Sequence, residues 1–163
     1  MATLDERTRS DHPHSTAKIG THPIHPMLIP FPIVCFIGAL VTDIVFLNNQ
    51  DAGWATASRY LLGIGIVMAL LAAVAGLTDF MGDDRIRRSG DALKHMLANV
   101  TAVVLEVVNF FVRLNSDSAI NGIGIILSAV VVLILLYSGW KGGDLVFRHG
   151  IGVDDSPNHG RPF

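Results

Sequence analysis

The sequence predicts an all-α membrane protein, an up-down bundle of four transmembrane helices, and three observations carry that expectation. Apolar types make up 50% of the 163 residues and charged types only 16%, against about 25% charged in an ordinary soluble domain. The charges gather at the two ends of the chain and between four long, sparsely charged runs. The stretches between those runs are short.

Each run has the roughly 20 apolar residues that a helix needs to cross the hydrocarbon core. The first covers residues 27–47, the second 60–78, the third 92–112 and the fourth 120–140. The third is the least apolar and the fourth the most uniform. Connections over 48–59, 79–91 and 113–119 are too short for anything but antiparallel neighbours in sequence order. Residues 21–153 therefore form one membrane domain, with flexible tails expected at 1–20 and 154–163. The first 18 residues are polar and charged, so the first apolar run is expected to be a permanent span rather than a cleaved signal.

Basic residues set the expected orientation. Four spans put the N-terminal tail, the stretch between spans two and three, and the C-terminal tail on one side. That side carries Arg7, Arg9, Lys18, Arg85, Arg87, Arg88, Lys94, Lys141, Arg148 and Arg161; the other carries Arg59 and Arg113. Ten against two predicts both termini in the cytoplasm, and a bacterial inner-membrane location. All seven histidines then fall on the cytoplasmic side. Trp54 and Trp140 lie near span ends, as interfacial anchors do.

Several function classes drop out. A net charge of −2 leaves no electrostatic footprint for nucleic acid. The single cysteine, Cys35, excludes an internal disulfide, a thiolate cluster and CxxCH haem attachment. Gly63-Ile-Gly65 and Gly122-Ile-Gly124 lack the third glycine and preceding strand of a dinucleotide fold. No GxSxG or HExxH pattern is present, and no internal repeat is visible. No catalytic residue is assigned, and an accessory or electron-transfer subunit fits better than a stand-alone enzyme.

The third span is the most informative. His95, Asn99, Ala102, Glu106, Asn109 and Arg113 are spaced 4, 3, 4, 3 and 4 apart, which places them within roughly an 80° arc of one helical face. Polar groups facing lipid are costly, so this stripe is expected to face the bundle interior or an oligomer contact with further copies of the chain. The asparagines read as interhelical hydrogen bonders, each adding under about 1 kcal/mol. Glu106 is an ionisable group near the hydrocarbon and so marks a candidate functional position, with Arg113 or Arg59 as its expected partner. Asp43 lies at similar depth in the first span. An outer ion-pair cluster and a proton site both remain open for these residues. In the second span Gly65, Ala69, Ala72, Gly76 and Asp79 form a small-residue ladder, which permits close helix approach or leaves room for a flat cofactor.

Before the first span the chain reads Thr21-His22-Pro23-Ile24-His25-Pro26. A residue before proline is biased away from helix, so His22 and His25 are expected in extended or turn geometry at the membrane surface. His95 sits one turn into the third span, and Asp79 ends the second. The glycines at 142 and 143 are expected to let the last segment, with His149, fold back beneath the bundle. His25 and His95 should then converge with at least one of His22, His149 or Asp79. Three readings stay open. The histidines could cap helix ends or sit in the headgroup layer. A haem b could take two imidazoles, from His22 or His25 and from His95, with Arg85, Arg87, Arg88 or Lys94 for its propionates. Another transition metal, zinc or non-haem iron, could use His22, His25, His95 and Asp79. His12, His14 and His159 are assigned no role.

The segment HPIHPMLIPFPI, the run Gly76-Leu77-Thr78-Asp79-Phe80 and the tail GGDLVFRHGIGV resemble a bacterial membrane family, domain of unknown function 2231. The resemblance covers roughly residues 18 to 153. His22, Pro23, His25, Pro26, Asp79 and His149 belong to the matching motifs. It implies a four-span inner-membrane protein, and relatives fused to iron–sulfur ferredoxin-like modules point toward redox work. No residue roles carry over. The combined expectation is a small redox subunit holding haem b or another metal, exchanging electrons with a quinone or a partner protein. Its rivals are a cofactor-free accessory or assembly subunit and a proton or ion pathway along His95, Asn99, Glu106 and Arg113.

Overall fold

A computed structural model describes residue 13, residues 15–114 and residues 116–153. Of the expected tails, residues 1–12, 14 and 154–163, with His12, His14 and His159, lie outside the described residues, whereas residues 15–20 are described. The N-terminal segment makes a two-residue antiparallel hairpin, β1 (Lys18–Ile19) with β2 (His22–Pro23). Gly20 turns it at φ 61°, a left-handed conformation that glycine adopts without steric penalty. A short helix α1 (Ile24–Leu28) leads through Ile29 into α2 (Pro30–Asn49). Then come α3 (Ala52–Gly82), α4 (Asp84–Arg87), α5 (Gly90–Leu114), a 3-10 turn (Asp117–Asn121) and α6 (Ile123–Phe147).

Four helical stretches are long and apolar enough to cross a membrane: Ile24–Asn49, Ala52–Gly82, Gly90–Leu114 and Ile123–Phe147. The chain is a multi-pass membrane protein. Each α-helix overruns its apolar window, because helical hydrogen bonding continues into polar sequence beyond the lipid-facing part. The α2–α3 connection shrinks to Gln50 and Asp51 in consequence. Gln50 caps α2 at φ 55°, and Asp51 caps α3 by accepting the Gly53 N–H.

The packing order is a closed ring: α2 on α3, α3 on α5, α5 on α6 and α6 on α2. One end of the bundle carries the N-terminal hairpin, α4 and the chain after α6; it is called the histidine end. The other carries the two hairpin turns and is called the turn end. There Gln50 and Asn121 exchange side-chain amide hydrogen bonds, and Arg59 pairs with Asp117 at 2.6 Å. Val34, Val67, Val104 and Leu133 are among the large apolar side chains left on the outer surface, which is the lipid-contacting face. Inside, Phe36, Ala39, Leu62, Ala69, Ala102 and Val131 form a buried apolar cluster. The small-residue ladder permits this closeness. A Cβ on Gly65 would come within 2.6 Å of the Phe36 ring, so α2 and α3 touch there only because the side chain is missing.

Two expectations are corrected. His25 lies in α1, not in extended chain; only His22 is in a strand. Pro26 falls in the first turn of α1, where its missing N–H has no intrahelical partner to lose. Gly142 and Gly143 do not release the last segment, because α6 runs through them to Phe147. The chain turns at Gly150, φ 62°, with Ile151 N–H bonded to Leu145 O and Gly150 N–H to Val146 O. Those two bonds, with glycine in the left-handed region, satisfy carbonyls of the last turn and end the helix.

The two hairpins α2–α3 and α5–α6 repeat one another. His25 and His95, Asp43 and Arg113, and Ser58 and Ser128 are each 70 residues apart. The same offset relates the buried inner positions Pro32, Phe36, Ala39 and Asp43 of α2 to Ala102, Glu106, Asn109 and Arg113 of α5. Both hairpins start at the histidine end, so they are parallel repeats about an axis along the membrane normal, a recurring plan in membrane proteins.

Candidate functional site

Two polar constellations lie on that axis. At the turn end every spanning helix contributes to a buried network. Arg113, wholly buried, donates from Nη1 to Asp43 Oδ1 at 2.5 Å and from Nη2 to Asp43 Oδ2 at 2.8 Å. It also donates to Ser58 Oγ, Ser128 Oγ and Asn109 Oδ1. Ser58 and Ser128 each donate a hydroxyl to Asp43, at 2.6 and 2.8 Å. All five guanidinium donors and both carboxylate oxygens are thus engaged. Gly124 makes the space: a Cβ there would lie 3.1 Å from Arg113 Nε and 2.8 Å from the Ala119 carbonyl. Glu106 stands beside this network. Its Oε2 accepts from Asn109 at 2.9 Å, while its Oε1 has no partner among the described residues. The expected partner of Glu106 is therefore corrected: Arg113 pairs with Asp43, and Arg59 with Asp117.

The stripe on α5 does face inward. Ala102, Glu106, Asn109 and Arg113 are buried, with His95 and Asn99 half-buried. At the histidine end, His25 and His95 face each other with ring centroids 6.2 Å apart and planes at 87°. His25 Nδ1 lies 2.8 Å from the Ala72 carbonyl, and His95 Nδ1 lies 2.8 Å from the Ser138 carbonyl. A carbonyl only accepts, so each neutral ring carries its proton on Nδ1 and keeps the lone pair on Nε2. Those carbonyls are open because the residue four positions on is glycine. Gly76 lies over the His25 ring and Gly142 over the His95 ring, and an added Cβ would come within 2.8 and 3.1 Å of them. His95 is held further: Ser138 Oγ is 3.0 Å from Nδ1, and the Asn99 amide donates to Nε2 at 3.1 Å.

The other candidate residues lie apart from this pair. Asp79 is an anchor for the N-terminal segment: its Oδ1 accepts from Ser15 Oγ and from the backbone N–H groups of Thr16 and Ala17, at 2.9, 2.7 and 2.7 Å. Gly82 lets that segment lie flat, since a Cβ would collide with Thr16. His149 is 3.4 Å from Asp91, which also pairs with Lys141 at 3.1 Å. His22 is exposed beside Thr21. Arg87 pairs with Asp84. Arg88 lines an open surface cleft with Arg85, Lys94, Asp91 and His149. No group of three or more His, Cys, Asp or Glu side chains able to hold a metal occurs among the described residues.

Sequence reasoning found His25, His95 and the α5 stripe but missed Ser58, Ser128 and Ser138, and it named Gly76 and Gly142 without their place against the imidazoles. The 70-residue offset between Ser58 and Ser128 was the available signal, and it shows only once the two histidines are known to be equivalent.

Fold and site together define a four-span membrane protein built of two parallel hairpins, with facing imidazoles at one end and a buried ion-pair network at the other. A family model described as a predicted membrane protein, domain of unknown function 2231, matches residues 21–155, and the chain belongs to that family. No curated protein and no solved structure matches it.

Proposed function

We propose that this protein is a small redox subunit of the bacterial inner membrane, with haem b held between His25 and His95. The observation that carries the reading is the facing imidazole pair, with ring centroids 6.2 Å apart. Neutral imidazole is a common ligand of haem iron, and two come together here from different helices. Both Nδ1–H groups are engaged by main-chain carbonyls, the outer-shell arrangement that orients metal-bound histidine. The donor set supports haem over zinc. Protein zinc sites use three or four side-chain ligands, and no such group is gathered among the described residues. His25 and His95, one from each repeat, are the two imidazoles that would hold a haem. When bound, the haem supplies one-electron chemistry. The protein's part is to orient the two rings and to keep lipid and water away from them. Arg88 and Lys94, lining the open cleft at the start of α5, would serve its propionates, and a quinone or a partner protein would be the electron donor or acceptor.

One observation favours a second reading. The Asn99 amide on His95 Nε2 satisfies that imidazole without any metal, as a cofactor-free accessory subunit would require. The visible spectrum of the detergent-purified protein separates the two. A Soret band with reducible α and β bands is expected, and it should vanish in His25→Ala and in His95→Ala while the chain remains membrane-inserted. A colourless, iron-free preparation made with haem supplied during expression would overturn the haem reading.

The proposal also places both termini in the cytoplasm, on the ten-to-two distribution of basic residues. A reporter fused after Phe163 is expected to read cytoplasmic; a periplasmic signal would reverse the assignment of both ends.

A further inference from the structure

We propose that Glu106 Oε1 binds one monovalent cation, a proton or a sodium ion. Charge counting leads there first. The charged side chains facing Glu106 are Asp43 from α2 and Arg113 from its own helix, while α3 and α6 present only Ser58 and Ser128 to this network. Two acids thus share one base. Asp43 already receives both terminal guanidinium nitrogens and two hydroxyls. Arg113 has all five donors engaged, and Asn109 gives its amide to Glu106 Oε2 and to Ser128. Nothing in the network has a donor left for Oε1.

Geometry supplies the second argument. Glu106 is wholly buried, and its Oε1 has no hydrogen-bond partner among the described residues. A buried carboxylate in this position carries an uncompensated charge, which a low-dielectric interior strongly disfavours. One bound monovalent cation restores neutrality and occupies the bare oxygen. The site is one-sided. Towards the turn end lie Asn109, Arg113, Ser128 and Asp43, and α5 ends eight residues on at Leu114, about 12 Å at 1.5 Å per residue. Towards the histidine end, the next inward position on α5 is Ala102, part of the apolar cluster with Phe36, Leu62 and Val131. That block separates Glu106 from Asn99 and His95. The inference is independent of the haem reading.

The sequence makes a clean test available, because Glu6 and Glu106 are its only glutamates. The full chain, labelled with 13C at the glutamate carboxyl and held in detergent micelles, gives two resonances, and Glu106→Gln identifies one of them. Should that variant fail to fold, Glu6→Gln makes the same assignment by difference. Without sodium at neutral pH, the Glu106 carboxyl is expected at the protonated position, with the matching carboxylic C=O band in the infrared. Sodium chloride, compared with choline chloride, then distinguishes the ions: displacement of the protonated signal by sodium alone assigns a sodium site, and no response assigns a proton site. An ionised Glu106 carboxyl at neutral pH in choline chloride overturns the proposal.

Discussion

Replacing Asp43 with alanine is expected to destabilise the folded bundle by about 3–5 kcal/mol, the range for removing one partner of a buried ion pair. The reason lies in what stays behind. Arg113 would keep its guanidinium wholly buried and lose both carboxylate contacts, at 2.5 and 2.8 Å. Ser58 and Ser128 would lose the acceptor for their hydroxyl protons. Glu106 is no ready substitute, since Asn109 stands between its carboxylate and Arg113 Nε. The double variant Asp43→Leu/Arg113→Leu removes the charges together, and a buried pair replaced by apolar groups is often close to neutral. It should therefore lose less stability than Asp43→Ala alone. Reversible unfolding in mixed micelles of Asp43→Leu, Arg113→Leu and their double variant, run as a double-mutant cycle beside Asp43→Ala, measures both. Single and double losses that simply add would show that the pair is not coupled, against the geometry.

Adding one methyl group at Gly76 is expected to cost about 1–3 kcal/mol, as overpacking does, and to displace the His25 ring. The new Cβ would lie 2.8 Å from His25 Nδ1 and 2.9 Å from Cε1. The ring must move off the Ala72 carbonyl, and with it goes the alignment on His95. At Gly142, which lies over the His95 ring in the other hairpin, the closest approach is 3.1 Å, to His95 Cε1, so Gly142→Ala should be milder. Gly139, also in α6, has nothing within 4 Å of an added Cβ, and Gly139→Ala should be neutral or stabilising by up to about 1 kcal/mol. Thermal unfolding of the three variants should rank Gly76→Ala below Gly142→Ala below Gly139→Ala. If haem is bound, the first two should also show a disturbed low-spin spectrum. The reverse rank order would mean that the glycines do not make room for the imidazoles.

The spans and the inward face of α5 were legible because both are local. A run of apolar residues reports its own contact with lipid, and a polar stripe at helical spacing reports which side of its own helix is sheltered. His95, Asn99, Glu106, Asn109 and Arg113 needed no other part of the chain to be placed on one face. The proline rule misled at His25 for an equally local reason. It describes the residue before a proline in open chain, whereas here the proline falls in the first turn of a helix. The glycines at 142 and 143 misled because flexibility was inferred from composition, while Gly142 serves to admit a ring from another helix.

Partner choice was not legible. Whether Arg113 takes Asp43 or Glu106 depends on which helix stands opposite, and Asp43 is 70 residues away. The internal repeat was hidden for a related reason. Apart from His25/His95 and Ser58/Ser128, its inner equivalent positions differ in type, holding Asp and Arg, Phe and Glu, and Pro and Ala, so few identities mark it; burial and depth do. By itself the sequence determined how many helices cross the membrane and which face of α5 is sheltered, since those follow from each residue's transfer between water and lipid. The tertiary structure alone decided that two histidines meet, that one acid takes the arginine and that the other is left with a bare oxygen. Hydrogen bonding is short-ranged and directional, and its outcome exists only once the four helices are in contact.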